Sequence, residues 1–429
     1  MHDEHLSHTI KTAGESFAPP PADVGTIVRR GRRRRWTARP VAIAASIALV
    51  AASAAAVARI DFSDTETAHP SAVAPAALTS WDPIEESPIE GRYAPLSAWT
   101  GSELIVWGGN RGNPPGGRLD GAAYDPARDK WSTLPRSPLR ISGGRTAVWT
   151  GEEMILWGGE FGDGSHVAPD QGAAYDPATR KWRRLPQAPY WSLAGHVALW
   201  TGTEMIVWGG VTTDRNPAAA YNPATNRWRS IPAGPLGSRH GAGAVWTGDR
   251  MIVFGGKSQD GVPVPPGQGA SFDPASGTWT PIAESPVKHV DAYVTDWTGT
   301  EMIVAGGLST VEMPKGGAVY DPAADSWREI ADLPLSPQWE DQPIRLTDMS
   351  TVGHWTGEHV VYVTADGVLG YSPEDDEWTT FDAPEGAAVE GATTAWTGEA
   401  LLVWSGRTWD DPAFRRGGWV ARYVSPRRS

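Results

Sequence analysis

The sequence of 429 residues contains no cysteine, and this absence removes several classes of protein from consideration. Without thiols the chain has no disulfide framework, no thiolate metal site and no cysteine nucleophile. Phenylalanine is also scarce, with 7 residues, whereas tryptophan (23), glycine (49) and proline (37) are abundant. This composition predicts many short strands joined by tight turns, with indole rings as the main packing units.

Acidic residues outnumber basic residues over most of the chain. The net charge is −13, and residues 1–39 carry eight basic and four acidic side chains, so residues 40–429 carry a net charge of −17. A surface this acidic repels a phosphate backbone, and we expect no nucleic-acid partner. We also expect no cofactor. We expect no bound metal ion either, because His2, His5 and His8 are typical of solvated residues in a tail.

The amino-terminal segment predicts a membrane anchor. Residues 1–39 lack apolar periodicity and end in an arginine cluster, which indicates a cytoplasmic, disordered basic tail. Residues 40–58 contain a run of uncharged residues that is long enough for a transmembrane helix of ~27 Å. Because the arginines lie on one side only, the positive-inside rule places the rest of the chain outside the cell. Residues 59–77, rich in alanine, threonine and proline, would form a stalk.

A cleaved signal peptide is the alternative to this anchor. The small residues of "ASA", "AAA" and "AVA" offer cleavage sites, and cleavage would release the rest of the chain as a secreted protein. A charged leader of nearly forty residues is long for a signal peptide. We therefore favour an uncleaved, single-pass anchor in the cell membrane, with the amino terminus in the cytoplasm.

The rest of the chain repeats one short motif. Trp-Thr-Gly recurs at intervals of 41 to 58 residues, a period typical of a propeller or a solenoid. An aromatic residue also precedes a tryptophan by seven positions in six places, around a turn such as "YDPATRKW". Each unit therefore predicts four antiparallel strands, which are the blades of a β-propeller. The seven motifs begin at Trp99, Trp149, Trp200, Trp246, Trp297, Trp355 and Trp396.

The glycine pair after an apolar strand, as at Gly158 and Gly159, and the spaced tyrosine and tryptophan resemble the kelch-repeat β-propeller family. The resemblance covers roughly residues 78–426 and implies an all-β, seven-bladed propeller of four-stranded antiparallel blades. We expect a bacterial, membrane-anchored member of this family, with the propeller domain at residues 78–429. The sixth and seventh blades depart from the pattern, because they replace the glycine pair by Thr364-Ala365 and Ser405-Gly406.

The seventh unit also lacks a fourth strand of its own. The stretch "WDPIEESP" at Trp81 resembles "WSTLPRSP" at Trp131, yet no unit precedes it. We expect this amino-terminal strand to pair with "WVARYVSP" near Tyr423 and to complete blade 7. Such a closure of the ring hides two sheet edges that would otherwise invite aggregation.

Residues that recur from blade to blade are predicted to build the scaffold. The glutamates that follow Trp-Thr-Gly resemble catalytic carboxylates, but their repetition indicates a role in turns and strand pairing, and the repeated tryptophans indicate packing between blades. The uniform turns "WTGEE" and "DPAT" share one face, here called the Trp-Thr-Gly face. The second-to-third and fourth-to-first loops share the opposite face and vary freely, and we call it the variable-loop face. Binding residues are expected there.

Polar residues, Tyr93 among them, enter the inner strands from the variable-loop face. They lie four to seven positions before the tryptophan of a Trp-Thr-Gly motif, here called the blade tryptophan. Because the inner strands of a propeller converge on its central channel, we expect these side chains to meet at the channel mouth. Arginines and acids there would hold a carboxylate or sugar hydroxyls through charge-assisted hydrogen bonds. The candidate ligand-binding residues are Arg92, Arg145, His196, Arg239, His240, Asp291, Tyr293, Asp348 and Glu390.

Three functions are compatible with this sequence. The one we favour is a cell-surface recognition module that binds a protein, peptide or glycan, because binding roles dominate the kelch family. The second is an extracytoplasmic enzyme acting on sugars or envelope compounds. A likeness to galactose oxidase is excluded, since that cofactor needs a cysteine bonded to a tyrosine, whereas a likeness to sialic-acid epimerases stays open. The third is a sensor whose cytoplasmic tail reports binding. No catalytic residue is assigned.

Overall fold

The computed structural model describes residues 76–110, 118–140, 144–159, 172–190, 194–211, 218–258, 267–287, 291–308, 316–334, 336, 346, 352–408 and 413–425. The predicted tail, the predicted membrane segment and nearly all of the predicted stalk lie outside these ranges. In the described ranges, no helix is long and apolar enough to cross a membrane. The described strands belong to a compact unit that spans Pro70–Ser429.

The described residues form seven four-stranded antiparallel sheets, and each sheet is one blade. The first strand along the chain is β1 (Ala77–Ile84). Blade 1 contains β2 (Leu96–Trp99), β3 (Leu104–Trp107), β4 (Gly121–Asp125) and β5 (Lys130–Thr133). Blade 2 contains β6 (Thr146–Trp149), β7 (Met154–Trp157), β8 (Gly172–Asp176) and β9 (Lys181–Arg184). Blade 3 contains β10 (His196–Trp200), β11 (Met205–Gly209), β12 (Ala218–Asn222) and β13 (Arg227–Ser230).

Blade 4 carries a short additional pair of strands beside its four-stranded sheet. Its strands are β14 (Arg239–His240), β15 (Gly243–Trp246), β16 (Met251–Phe254), β17 (Lys257–Ser258), β18 (Gly269–Asp273) and β19 (Thr278–Pro281), of which β14 pairs with β17. Blade 5 contains β20 (Asp291–Trp297), β21 (Met302–Leu308), β22 (Gly317–Asp321) and β23 (Ser326–Ile330). Blade 6 contains β24 (His354–Trp355), β25 (Val360–Thr364), β26 (Gly367–Ser372) and β27 (Glu377–Phe381). Blade 7 contains β28 (Thr393–Trp396), β29 (Ala400–Trp404), β30 (Gly418–Val424) and β1.

The inner strands of the blades form a closed ring. Each inner strand contacts the inner strand of the next blade, and β28 of blade 7 contacts β2 of blade 1. Blade 7 has the strand order β1-β30-β29-β28, with Leu78 opposite Tyr423 and Ile84 opposite Gly418. The seven-bladed all-β fold and its closure by an amino-terminal strand are thereby confirmed.

Each Trp-Thr-Gly motif forms the tight turn between the first and second strands of its blade. In blade 1, the backbone N–H of Thr100 donates to the carbonyl of Glu103 (3.0 Å), and the Thr100 hydroxyl accepts a hydrogen bond from the backbone N–H of Glu103 (2.9 Å). Gly101 has a φ of +96°, which residues with a Cβ rarely adopt. The same turn recurs at Thr150, Thr201, Thr247, Thr298, Thr356 and Thr397.

The turn between the third and fourth strands is also built by local hydrogen bonds. Asp125 Oδ1 accepts bonds from the backbone N–H groups of Ala127 (3.0 Å) and Arg128 (3.2 Å), as expected for an Asp-Pro turn. The Tyr124 hydroxyl donates to Asp129 Oδ1 (2.8 Å), which closes the turn from the strand side. Because the strands are antiparallel, this turn and the Trp-Thr-Gly turn lie on the same face. Equivalent hydroxyl bonds join Tyr221 to Asn226, Tyr320 to Asp325 and Tyr371 to Asp376.

Among the described residues, the hydrophobic core consists of seven clusters, each shared by two neighbouring blades. The second strands form the most deeply buried layer, and in β7 all four side chains, from Met154 to Trp157, have no exposed surface. One Trp-Thr-Gly tryptophan packs against each cluster but remains partly exposed. The predicted packing of these tryptophans between blades is confirmed, although the second-strand aromatic residues occupy the deeper positions.

Candidate functional site

Tyr93 and three of the candidate residues lie at the same level of the ring, on the variable-loop face. In four blades, the residue six positions before the blade tryptophan forms a β-bridge with a residue of the second strand's extension. That partner directly follows the glycine pair, or Ser405-Gly406 in blade 7. These backbone pairs are Tyr93 with Asn110, His240 with Lys257, Asp291 with Leu308, and Glu390 with Arg407. Each inner strand is thereby extended towards the variable-loop face. The side chains of Tyr93, His240 and Glu390 are partly exposed there.

Arg92 and Arg239, seven positions before a blade tryptophan, are buried instead, with 0% and 3% of their surface exposed. Arg92 Nη1 donates to the carbonyl of Gly108 (2.9 Å), the first glycine of its pair, and the guanidinium bridges both carboxylate oxygens of Asp120 (3.0 and 3.1 Å). Burial opposes ionisation of Asp120, but Arg92 holds the pKa of this carboxyl below its ordinary value. Arg239 makes the equivalent bonds to Gly255 (3.0 Å) and Gln268 (2.7 Å).

These two guanidinium groups therefore hold together the two ends of the second-to-third loops in blades 1 and 4. Each joins the glycine that follows a second strand to the residue that directly precedes the third strand, so that loops of different sequence start from the same backbone positions. A direct role of Arg92 or Arg239 in ligand binding stays a prediction.

Arg145 and His196 are both buried and interact electrostatically between blades 2 and 3. His196 Nε2 lies 2.9 Å from Thr146 Oγ1, and the imidazole packs edge-on against Trp157 with ring centroids 4.8 Å apart. Burial lowers the pKa of His196 to about 4, the main chain of Trp157 opposes this shift, and the charge of Arg145 adds to it. At neutral pH the imidazole is therefore uncharged.

His240 of blade 4 lies beside the residue that precedes His196. The backbone N–H of Gly241 donates to the carbonyl of Gly195 (2.9 Å), which joins the two inner strands at the variable-loop face. Blades 2 and 3 thus bring Arg145 and His196 together, and His240 of blade 4 lies beside the adjacent Gly195. Asp291 and Tyr293 are described through their backbone in β20 only, where Tyr293 pairs with Gly306, and Asp348 lies outside the described residues.

A second group lies where blade 7 meets blade 1, and it includes two residues that the sequence reasoning missed. Arg407 Nε donates to Glu390 Oε2 (3.0 Å), and the Arg407 guanidinium carbon lies 5.6 Å from the ring centroid of Phe414. Phe414 in turn makes an edge contact with Tyr93, with centroids 6.2 Å apart. All four side chains are partly exposed. We call Tyr93, Glu390, Arg407 and Phe414 the aromatic-arginine cluster.

The variable loop "RTWDDPAFRRGG" contained the signal for this cluster, because it combines aromatic residues with arginines. Its sequence does not indicate which arginine would pair with Glu390, since that glutamate belongs to the preceding inner strand. In the described part of the chain, no group of three histidine, aspartate or glutamate side chains is arranged to hold a metal ion. The arrangement supplies an arginine and two aromatic rings that are held in place, which suits a contact surface.

A buried carboxyl between blades 5 and 6 was also missed. The Tyr362 hydroxyl donates to Asp296 Oδ2 (2.7 Å) inside the interface between these blades. Burial raises the pKa of Asp296 to about 6, although the Tyr362 hydroxyl and the main chain of Gly353 oppose the shift. The available signal was that Asp296 directly precedes Trp297, a position that is apolar in five of the other blades. This pair lies in the core rather than on either face.

Residues 144–343 match the family model described as the KLHDC2/KLHL20/DRC7 Kelch-repeats domain. The matched segment contains blades 2 to 5. Comparison with curated proteins gives no match. Blades 2 to 5 are thus similar to kelch repeats, and the same four-stranded architecture continues in blades 1, 6 and 7.

Proposed function

We propose that this kelch-repeat propeller is a protein-interaction module whose partner docks on the variable-loop face. Kelch propellers generally bind protein partners, so the fold favours this class of function. The observation that carries the proposal for this chain is the aromatic-arginine cluster, in which Tyr93, Arg407 and Phe414 pack on one another while remaining accessible.

Tyrosine, phenylalanine and arginine are enriched at protein interfaces, where they bury large areas and offer directed hydrogen bonds. The side chain of Arg407 is 39% exposed although it pairs with Glu390, so its remaining N–H groups stay accessible to a partner. Mutual packing also restricts the rotamers of these side chains before binding, which reduces the entropy lost when a partner docks.

Site-specific photo-crosslinking tests where the partner docks. A photoreactive phenylalanine analogue at position 93 of the full-length protein, irradiated in the producing cells, is expected to form an adduct with a partner protein. Arg407→Ala should lower the adduct yield at least about tenfold, because the loss of a hot-spot residue costs about 2 kcal/mol or more and about 1.4 kcal/mol is already tenfold in affinity.

The matched control places the same analogue at Ser102, an exposed residue in the Trp-Thr-Gly turn of blade 1. This position should give little adduct, and its yield should not respond to Arg407→Ala. An adduct that forms at position 102 but not at position 93 would refute docking on the variable-loop face. An adduct that contains carbohydrate instead of protein would reassign the ligand class.

We further propose that the propeller is displayed outside the cell by the anchor at residues 40–58. The support is the arginine cluster on the amino-terminal side of the apolar run. Protease added to intact cells should remove the propeller and spare the tail. A protected propeller would contradict this orientation, and recovery of the propeller from the medium without its tail would favour the secreted alternative.

A further inference from the structure

On the Trp-Thr-Gly face, a cleft lies between each blade and the next one. In three blades, an arginine of the fourth strand occupies this cleft. This arginine directly follows the fourth-strand tryptophan and lies at the end of a cross-strand row that faces the next blade. The rows are Ile155-Ala174-Arg183 in blade 2, Ile206-Ala220-Arg229 in blade 3 and Ile303-Val319-Arg328 in blade 5.

Each of these arginines is held by the glutamate of the Trp-Thr-Gly turn in its own blade. Arg183 Nε donates to Glu153 Oε1 (2.9 Å), and the equivalent pairs are Arg229 with Glu204 (2.7 Å) and Arg328 with Glu301 (3.6 Å). The repeated glutamates are thus scaffold residues, which confirms that part of the prediction.

The next blade completes the site in two of these clefts. Arg183 Nη1 donates to the hydroxyl of Tyr221 (2.7 Å), and its guanidinium carbon lies 5.9 Å from the Tyr221 ring centroid. Arg328 makes the same type of bond to the hydroxyl of Tyr371 (3.3 Å). Both tyrosines donate in turn to the third-to-fourth turn, at Asn226 and Asp376. In this propeller, a guanidinium group is therefore bound by a tyrosine hydroxyl that itself donates to a side chain of the third-to-fourth turn. We call this tyrosine and its acceptor the guanidinium receptor.

The cleft between blades 4 and 5 has the receptor but lacks the arginine. Its cross-strand row is Ile252-Ser271-Thr280, so that threonine stands where the arginine would be. Arg250 occupies the position of the turn glutamate, which inverts the charge there. On the blade 5 side, the Tyr320 hydroxyl donates to Asp325 Oδ1 (2.7 Å), as in the filled clefts. We call this site the blade 4–5 cleft.

The blade 4–5 cleft is an open cavity of about 900 Å³. Ser271 lines it, is 9% exposed, and has an Oγ without a hydrogen-bond partner among the described residues. Alanine or another residue without a hydroxyl occupies this position in the other blades. A buried hydroxyl without a partner costs free energy, which a ligand that supplies a donor would recover.

The charge of the lining favours a cationic ligand. Among the described residues that line the cleft, Arg250 is the single basic one. Its guanidinium lies 3.7 Å from Asp249 and 3.9 Å from Asp273, so carboxylates of its own blade offset its charge. The carboxylates that line the cleft are Asp249, Glu301, Asp321 and Asp325.

The cleft between blades 1 and 2 shows how a missing arginine can be replaced from within the chain. Ser132 stands at the arginine position of blade 1, and Arg180 from the third-to-fourth turn of blade 2 reaches back to Ser132 Oγ (3.4 Å) and to the carbonyl of Thr133 (2.6 Å). In blade 5 the residue equivalent to Arg180 is Asp325, which adds a negative charge. The third-to-fourth turn of blade 5 therefore offers the blade 4–5 cleft no such replacement.

We propose that the blade 4–5 cleft binds an arginine side chain of a protein partner, which takes the place that Arg183, Arg229 and Arg328 fill in the other blades. The proposal rests on the function proposed above in so far as the arginine belongs to a protein. The guanidinium packs against Tyr320 and Trp297, and its five N–H donors meet the hydroxyls and carboxylates of the lining. This surface lies on the face opposite the aromatic-arginine cluster and extends the contact area of the module.

Binding of a small probe to the full-length protein tests the cleft directly. Acetyl-arginine amide carries one guanidinium, and acetyl-citrulline amide has nearly the same shape without the charge. In equilibrium dialysis the arginine probe is expected to bind with a millimolar Kd and the citrulline probe at least tenfold more weakly. Equal binding of the two probes, or no binding of the arginine probe, would overturn the proposal.

Two variants and one control assign this binding to the blade 4–5 cleft. The double substitution Thr280→Arg with Arg250→Glu recreates the glutamate-arginine pair of blade 2 and should fill the cleft, so that arginine-probe binding falls at least tenfold. Asp325→Asn copies Asn226 of blade 3, leaves the cleft open and should weaken binding about threefold through loss of charge. Ser132→Arg, which adds an arginine at the equivalent position in the cleft between blades 1 and 2, should leave binding unchanged.

Circular dichroism and the thermal midpoint show whether each variant is folded. Unchanged probe binding in the folded double variant, or loss of binding in Ser132→Arg, would place the site elsewhere and overturn the proposal. If the probe fails to bind while photo-crosslinking from position 93 persists, the cleft proposal fails and the proposed docking on the variable-loop face stands.

Discussion

Removal of residues 76–88, which contain β1, is expected to unfold the propeller as a whole. Leu78 and Ile84 are buried in two different inter-blade clusters. The Trp81 indole donates to the carbonyl of Asp382 in blade 6 (2.9 Å), and the carbonyl of Glu85 accepts from the Trp131 indole of blade 1 (2.8 Å). One strand thus joins blade 7 to both of its neighbours.

Its loss should lower the free energy of unfolding by at least about 5 kcal/mol, since two buried aliphatic side chains contribute roughly 1.5–3 kcal/mol each and a strand of hydrogen bonds is also lost. That is comparable to the whole stability of a typical domain. It would also expose the edge of β30 to other chains. Thermal unfolding followed by circular dichroism, with light scattering to detect aggregation, measures the effect.

A rearranged chain is the matched control for this deletion. Ala77 pairs with Val424, so residues 76–88 can follow Ser425 through a short glycine-rich link in a chain that starts at residue 89. This chain should melt near the temperature of residues 76–425, because it restores the same strand by a hairpin. If a chain that starts at Gly91 melted like the intact propeller, the closure would contribute little to stability.

Trp157→Ala is expected to lower the free energy of unfolding by about 3–5 kcal/mol, as removal of a large buried aromatic side chain does. Trp157 has no exposed surface and packs between blades 2 and 3 against Trp228 (5.7 Å between centroids), Tyr190 (5.4 Å) and His196 (4.8 Å). Its indole N–H has no hydrogen-bond partner among the described residues, so the loss is one of packing. Denaturant-induced unfolding measures the change.

Two further substitutions test whether the loss of stability comes from packing at Trp157 or would follow any substitution of a tryptophan. Trp157→Phe copies Phe254, which fills the same position in blade 4, and should cost about 1.5 kcal/mol or less. Trp200→Ala should cost less than Trp157→Ala, because Trp200 of the Trp-Thr-Gly motif is partly exposed. A larger loss at Trp200 than at Trp157 would contradict the order of burial described above.

The aromatic-arginine cluster shows how far sequence reasoning reached towards the candidate site. Glu390 was identified as a candidate, and Tyr93 as a polar residue of the inner strand, because their distance from a blade tryptophan sets their level on that strand. Arg407 and Phe414 were missed, because they come from a loop of blade 7 and meet Tyr93 only after the ring has closed. Proximity between blades 1 and 7 is a property of the closed ring and has no signature within either segment.

The sequence by itself determined the all-β class, the number of blades and the strand that closes the ring. The physical reason is that these features depend on local chemistry, such as the Thr100 hydroxyl that caps the turn and the positive φ of Gly101, which repeats in every blade. The tertiary structure alone decided which polar residues are buried in the scaffold and which remain accessible. Arg92 and Arg407 both lie at the base of a variable loop. Arg92, however, is fully buried and donates hydrogen bonds to the Gly108 carbonyl and the Asp120 carboxylate, which come from more distant parts of its blade. The blade 4–5 cleft likewise depends on Thr280 and Asp325 from two blades, because a cavity between packed sheets is set by both of its walls.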